Sequence, residues 1–392
     1  MSRAITKLRR MKRLTPVAVT LATLLFAVPA VAGQWSQAGH DAANSSYASD
    51  SSIRTSNVRN LSEVWARSFA GSAVAVGGRV FVDPPGNHPL TILNLATGVT
   101  IGTIADGRFE GPPAVAGGFA VVQRRTIRGT NGTILHRASI GAFRISNGQK
   151  LWVVPAGVDD KLRAIVSPTI AKGVVFAGGR GKGRTRPAIA RKSGHVLYRT
   201  TPGGPTGTKV VVGSGMVVTA SGNQIRAFRA RTGKFVWRAV RTDPSLTLLG
   251  PRLIVTGGGS IAGYDVRKGK LLWRVAAATL GGVTVINKLV VGAVRTPGQT
   301  MLRGWSSLDG HTRWQRHIGA ANDRFTDPVL VNGVVLVGWR TSTQSKLIAA
   351  RRTSGGRLAT LSVGNGAFGA LTVINDTVLV PIGGTLHALR VP

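Results

Sequence analysis

Seven times along this chain a glycine turn separates an apolar run from a second run that often ends in tryptophan. The copies occupy residues 93–98, 142–152, 188–194, 227–237, 264–273, 305–314 and 349–355, and their glycines lie 36 to 50 residues apart. A period near 40 built from short strands is the signature of a β-propeller, in which each repeat supplies one blade. No single repeat can bury its apolar face alone, so the chain must form a stack or a ring.

A second count is independent of that motif. A β-run, a tight turn and another β-run recur at 74–82, 113–122, 168–178, 210–220, 246–257, 283–293, 328–338 and 371–381. The turns carry pairs such as Gly77-Gly78, Gly117-Gly118, Asn332-Gly333 and Asn375-Asp376. Glycine and asparagine tolerate the positive φ of two-residue hairpins. Eight first hairpins against seven complete second hairpins leaves one strand missing. The chain ends on a third strand, Thr385 to Arg390, with no fourth. The stretch 61–69, which opens on Leu61, carries Trp65 and closes on Phe69, is a fourth strand with no first three. The expectation is an all-β, eight-bladed propeller of four-stranded antiparallel blades, closed by that N-terminal strand completing the last blade. Closure covers open sheet edges.

The motif Ala-Phe-Arg-Ala-Arg-Thr-Gly-Lys-Phe-Val-Trp at 227–237 resembles the quinoprotein (PQQ-type) propeller repeat. The opening Gln34-Trp35-Ser36-Gln37-Ala38-Gly39-His40-Asp41, followed by Glu63-Val64-Trp65, is similar to the start of quinoprotein dehydrogenases and of non-enzymatic relatives such as BamB. The resemblance implies two possibilities: a binding scaffold without catalysis, or an oxidoreductase using PQQ with calcium. In the dehydrogenases the metal takes acidic and amide ligands, an aspartate serves as base, and a vicinal disulfide often stacks on the quinone. This chain has no cysteine, only two glutamates (Glu63 and Glu110), and one adjacent acidic pair, Asp159-Asp160. No catalytic residue transfers from the dehydrogenases, and the BamB-like reading leads, with no cofactor expected. Asp265, at the consensus aspartate position, reads as a turn-former. The histidines show no metal-ligand spacing.

The tryptophans Trp65, Trp152, Trp237, Trp273 and Trp314 are expected to dock one blade on the next, because large aromatics at a repeated strand position are core elements. Residues 1–32 read as a signal peptide: five cations from Lys7 to Arg13, an apolar run, then Ala30-Val31-Ala32. The organisation expected is signal 1–32, an extended segment 33–60 and the propeller 61–392. That places the protein outside the cytoplasm, whether periplasmic, wall-associated or extracellular, with no membrane anchor after cleavage and as a monomer.

Lys plus Arg number 51 against 14 Asp plus Glu, a formal charge of +37. Such a chain attracts polyanions. The cations of the expected loop face include Arg124, Arg125 and Arg128, and the glycine-rich loop that holds Arg180, Lys182, Arg184 and Arg186; further ones are Arg295, Arg340 and Lys346. These are candidates for binding an anion or a partner. The loop lacks the Gly-Lys-Ser/Thr end of a nucleotide loop and interleaved aromatics, so specific nucleic-acid recognition is not expected. The partner is an envelope protein or an anionic polymer.

Overall fold

The computed structural model describes residues 34–69, 71–83, 89–106, 108–130, 133–159, 167–176, 186–201 and 210–392. They form eight blades, each a sheet of four antiparallel strands, around one ring. The inner strands are Ala73–Val76, Arg108–Ala116, Thr169–Ala171, Val210–Gly213, Ser245–Leu249, Thr284–Ile286, Val329–Val331 and Thr372–Ile374. The eighth blade is made from both ends of the chain. Its outer strand is Ser62–Arg67, paired antiparallel with Thr385–Arg390. His387 Nδ1 meets Glu63 Oε2 at 2.6 Å across this seam. From the same strand Arg67 reaches into blade 1 and donates to the carbonyls of Gly98 and Thr97. Among the described residues the one helical element is a single turn, Val58–Asn60, and no helix is long and apolar enough to cross a membrane.

Each blade is buried on both faces by its neighbours. The inner strand and the second strand beside it therefore read as continuous apolar runs, as in the second strand Val334–Arg340, where the first four side chains are fully buried. The outer strand faces solvent on its edge and alternates. Hydroxyls tie adjacent inner strands together: Thr169 donates to Val210 O, Thr247 to Val283 O and Thr372 to Ala73 O.

The repeat motif has a physical explanation at three positions. Each of the six outer strands that carry the aromatic has a bulge just before it: Val236 is the extra residue between the pairs Ala227↔Trp237 and Phe228↔Phe235, and Leu272 between Gly263↔Trp273 and Tyr264↔Leu271. A bulge re-aims the next side chain. The residue opposite the aromatic is small: Ala142, Ala188, Ala227, Gly263, Gly304 and Ala388 face Trp152, Tyr198, Trp237, Trp273, Trp314 and Trp65. A Cβ on Gly263 would lie 2.5 Å from the Trp273 ring. The ring then lies on the turn glycine of the following blade. Cβ atoms built on Gly98, Gly194, Gly269, Gly310 and Gly355 would fall 2.6 Å from Trp65, Trp152, Trp237, Trp273 and Trp314. All five glycines also have positive φ. The glycine is thus required twice, by backbone and by contact.

Four indoles complete the seam by donating Nε1–H to the next blade: Trp65 to Leu95 O, Trp152 to Arg191 O, Trp237 to Val266 O and Trp273 to Ser307 O. Tyr198 fills the same place in blade 3, its hydroxyl donating to Ala230 O, and burial pushes its phenol up to about 12. Trp314 stacks like the others, but its Nε1 has no acceptor. Blade 1 has Gly102 where the ring would stand, and the facing residue is Ile92 instead of alanine, so volume moves across the pair. Asp265 and Asn94 hold their turns through local bonds: Asp265 Oδ1 accepts from the N–H groups of Arg267 and Lys268, and Asn94 Oδ1 from those of Ala96 and Thr97.

Candidate functional site

The centre of the ring is threaded by the chain's own N-terminal segment, residues 34–53. It contacts the blades in order. Gln34 and Trp35 pair with Val76 and Ala75 of blade 1. The Ser36 carbonyl accepts from Val115 N–H of blade 2, and the Gln37 amide exchanges bonds with the Ile170 backbone of blade 3. The carbonyls of Ala42, Ala43, Ser45 and Ser46 accept from Val212, Leu248, Val285 and Leu330 in blades 4 to 7. Ser52 N–H and the Ser51 hydroxyl donate to Asn375 O of blade 8. This strap rises antiparallel to the first inner strand and descends parallel to the seventh, with Tyr47 opposite Leu330.

Its upper bend requires unusual backbone. His40, Asn44 and Ser46 all sit at positive φ without being glycine. Asp41 holds the bend, accepting from Ala43 N–H, Ser45 N–H and the Ser45 hydroxyl. Burial alone would raise the Asp41 carboxyl. The His40 ring, 3.6 Å away, and the Ser45 bonds outweigh it and hold the pKa below the usual value. A depressed carboxyl contributes stability above its unfolded pKa and loses it as pH falls through the folded one. Asp41→Asn is therefore expected to lower Tm at pH 7 and to flatten the decline of Tm between pH 5 and 2, as read by thermal melts across that range.

The strap leaves a cavity of about 1020 Å³ above it, on the face that carries the inter-blade loops. Ala38, Gly39, Asp41 and Asn44 line it from the strap, with Leu280, Phe325 and Phe368 as apolar wall and Arg295, Arg324 and Arg340 as cations. The acids around it are engaged. Asp323 Oδ2 accepts from Trp339 Nε1 and Ala320 N–H, and Asp327 Oδ1 accepts from Gly282 N–H.

Of the cations singled out in the sequence, Arg295 and Arg340 come together here, and the other described ones do not. Arg124 is held by Asp106, with Nη2 2.8 Å from Oδ1, and Lys150 approaches the same carboxylate at 3.4 Å. Arg125 and Arg128 lie in the strand Phe119–Thr130, their side chains outside the described set. Arg180, Lys182 and Arg184 fall outside the described residues. Arg186 is not an open loop cation: it is the first residue of the strand Arg186–Ala190, only 3% exposed, and burial lowers its pKa to about 10. Arg295 and Arg340 line the cavity; Lys346 instead lies with its Nζ 5.4 Å from the centre of the Trp339 ring. The strap and Arg324 were not visible in the sequence. The strap carries no repeat motif, and Arg324 gains meaning only by its register against Arg340.

An eight-bladed ring of PQQ-type repeats, with a blind funnel on its loop face, defines the class. The family model described as outer membrane protein assembly factor BamB matches residues 136–279 and again 249–391, and the chain belongs to that family. No curated protein matched the sequence. Among solved structures, BamB from Moraxella catarrhalis is 15% identical, with a TM-score of 0.62 over 84% of this chain and 99% of that one. A quinohemoprotein alcohol dehydrogenase from Comamonas testosteroni is 14% identical, with a TM-score of 0.66 over 91% of this chain and 80% of its own. A europium-containing methanol dehydrogenase is 14% identical, with a TM-score of 0.68 over 92% of this chain and 98% of that one. At such identities the likeness is one of fold, and both catalytic and non-catalytic propellers share it.

A quinone with calcium needs several clustered oxygen ligands. The described residues contain no group of three or more acids, histidines or cysteines able to hold a metal. The funnel's carboxylates are already turned onto backbone and indole donors. This donor set does not fit that cofactor.

Proposed function

We propose that the protein is an exported, non-catalytic binding scaffold of the cell envelope that presents its funnel face to a protein partner. The observation that carries this reading is the commitment of the funnel's acids to internal bonds, in a chain of the BamB family. A dehydrogenase of this fold needs free acids at the ring centre; a scaffold needs a rigid, shaped face. The strap supports the scaffold by fixing the funnel floor to all eight blades. The net charge of +37 favours an acidic partner.

The test is a titration of the chain starting at residue 33 with pyrroloquinoline quinone and calcium, at moderate salt. No saturable binding beyond a charge-matched control protein is expected. One-to-one binding with a shifted quinone spectrum would overturn the scaffold in favour of the oxidoreductase.

A further inference from the structure

Three arginines stand together on the funnel wall, and their placement differs from that of the arginines that brace the blades. Arg67, Arg124, Arg226, Arg241, Arg267 and Arg390 each donate to a carbonyl or an oxygen-bearing side chain. Arg295, Arg324 and Arg340 line the same cavity, and among the described residues none of them makes a side-chain hydrogen bond or ion pair. Two of them are also placed against each other. The two-residue strand Arg324–Phe325 pairs antiparallel with the end of Val334–Arg340, and the register sets Arg324 directly opposite Arg340. Like charges directly opposite across a strand pair repel. Asp41, Asp323 and Asp327 line the same cavity and keep their charge, but none forms an ion pair with these arginines among the described residues; Asp323 accepts from Trp339 Nε1 and Ala320 N–H instead. Phe325 and Phe368 stand beside the cations as apolar wall.

We infer that Arg295, Arg324 and Arg340 form a carboxylate-binding site, and that its occupant is an acidic peptide segment of the partner protein carrying an apolar residue next to its acids. The guanidiniums take the carboxylates in bidentate pairs. The apolar residue lies against Phe325 and Phe368. Docking removes the Arg324–Arg340 repulsion, so part of the binding free energy is strain already present in the free protein. The cavity opens on the ring face and, at about 1020 Å³, sits at the upper end of small-molecule pockets, which suits an inserted peptide loop. This inference rests on the scaffold reading and adds its partner's chemistry.

Two measurements on the chain from residue 33 test it. The first needs no ligand. Arg340→Gln is expected to leave Tm unchanged or raise it, since it removes a repulsion, while Arg124→Gln, which breaks the pair with Asp106, lowers it. A fall in Tm for Arg340→Gln as large as for Arg124→Gln would overturn the inference by showing a structural role. The second uses a fluorescein-labelled, end-capped dodecapeptide of alternating Glu and Phe flanked by Gly, titrated at moderate salt. It is expected to bind saturably and to weaken about tenfold or more in Arg324→Gln/Arg340→Gln, the loss of charge-assisted bonds. Binding to Arg316→Gln, on an exposed outer strand, stays as in the parent. Equal binding by parent and double variant, or no binding by the parent, sinks the peptide site. Polyphosphate or polyglutamate that binds as tightly and is equally indifferent to the double variant would show generic charge attraction and overturn it as well. The quinone titration is separate: the peptide site can fail while the scaffold stands.

Discussion

A chain that begins at Leu61, with the entire strap removed, is expected to melt at least about 15 °C below the chain that begins at residue 33, or to precipitate. The removed segment, the strap with the turn that follows it, places Trp35, Ala48, Ile53 and Val58 in buried positions, with exposures of 3% or less. Burying a large apolar side chain is worth roughly 1.5–3 kcal/mol, so the set contributes on the order of 6 kcal/mol. That is comparable with the whole stability of an ordinary domain, about 5–15 kcal/mol. The loss also strips the acceptors from Val115, Val212, Leu248, Val285 and Leu330 on the inner strands. Those amides would then face an open, water-filled channel. A second experiment separates a missing strap from general misfolding. A synthetic peptide of residues 34–60 added in trans should restore Tm in proportion to the logarithm of its concentration, as for any ligand that binds only the folded state. If the shortened chain melts with the parent, the strap contributes nothing to the ring.

The prediction bears on function as well as on stability. In the absence of the strap the ring centre is a through-channel lined by backbone. With it, the channel becomes a funnel whose floor is made of Gly39, Asp41 and Asn44. Gly39 tolerates no side chain, because a Cβ would lie 1.8 Å from Asn44 Oδ1. The same segment thus joins the blades and shapes the face offered to a partner. Neither role can be changed without the other.

How much of this was legible beforehand follows from what repeats. Blade count, ring closure through Trp65 and the match of glycine turns to tryptophans all depend on one local pattern used many times. The closing strand was expected at 61–69 and is found at Ser62–Arg67. The strap is used once. Between Trp35 and Tyr47 its residues are small or polar, and what orders the segment is contact with eight different blades contributed from more than 300 residues of chain. The site is harder still. Arg124 and Arg186 look like loop cations in the sequence, yet one is held by Asp106 and the other is buried at a strand start. Arg324 looks unremarkable until register sets it opposite Arg340. Charge on a single sequence shows how many cations there are; only the fold shows which lack a partner.

Trp273→Ala is expected to destabilise the ring by about 3–5 kcal/mol, the usual cost of emptying a large buried aromatic site. The ring is 7% exposed, stacks on Gly310 of the next blade and donates Nε1–H to Ser307 O. Removing it leaves a void between blades 5 and 6 that the bulged strand cannot collapse to fill. A closed ring shares that loss, because every seam must hold for any blade to keep two covered faces. A finer comparison isolates the hydrogen bond from the packing. Trp273→Phe keeps an aromatic ring on the glycine but orphans the Ser307 carbonyl, which costs about 1–3 kcal/mol beyond the lost volume. Trp314→Phe loses similar volume but no bond, because Trp314 Nε1 has no acceptor and is itself a buried, unsatisfied donor. Denaturant titrations of the two variants should therefore differ, with Trp273→Phe showing the lower midpoint at an unchanged slope. Equal midpoints would mean that the indole bonds are incidental, and that stacking on the turn glycines alone joins the blades.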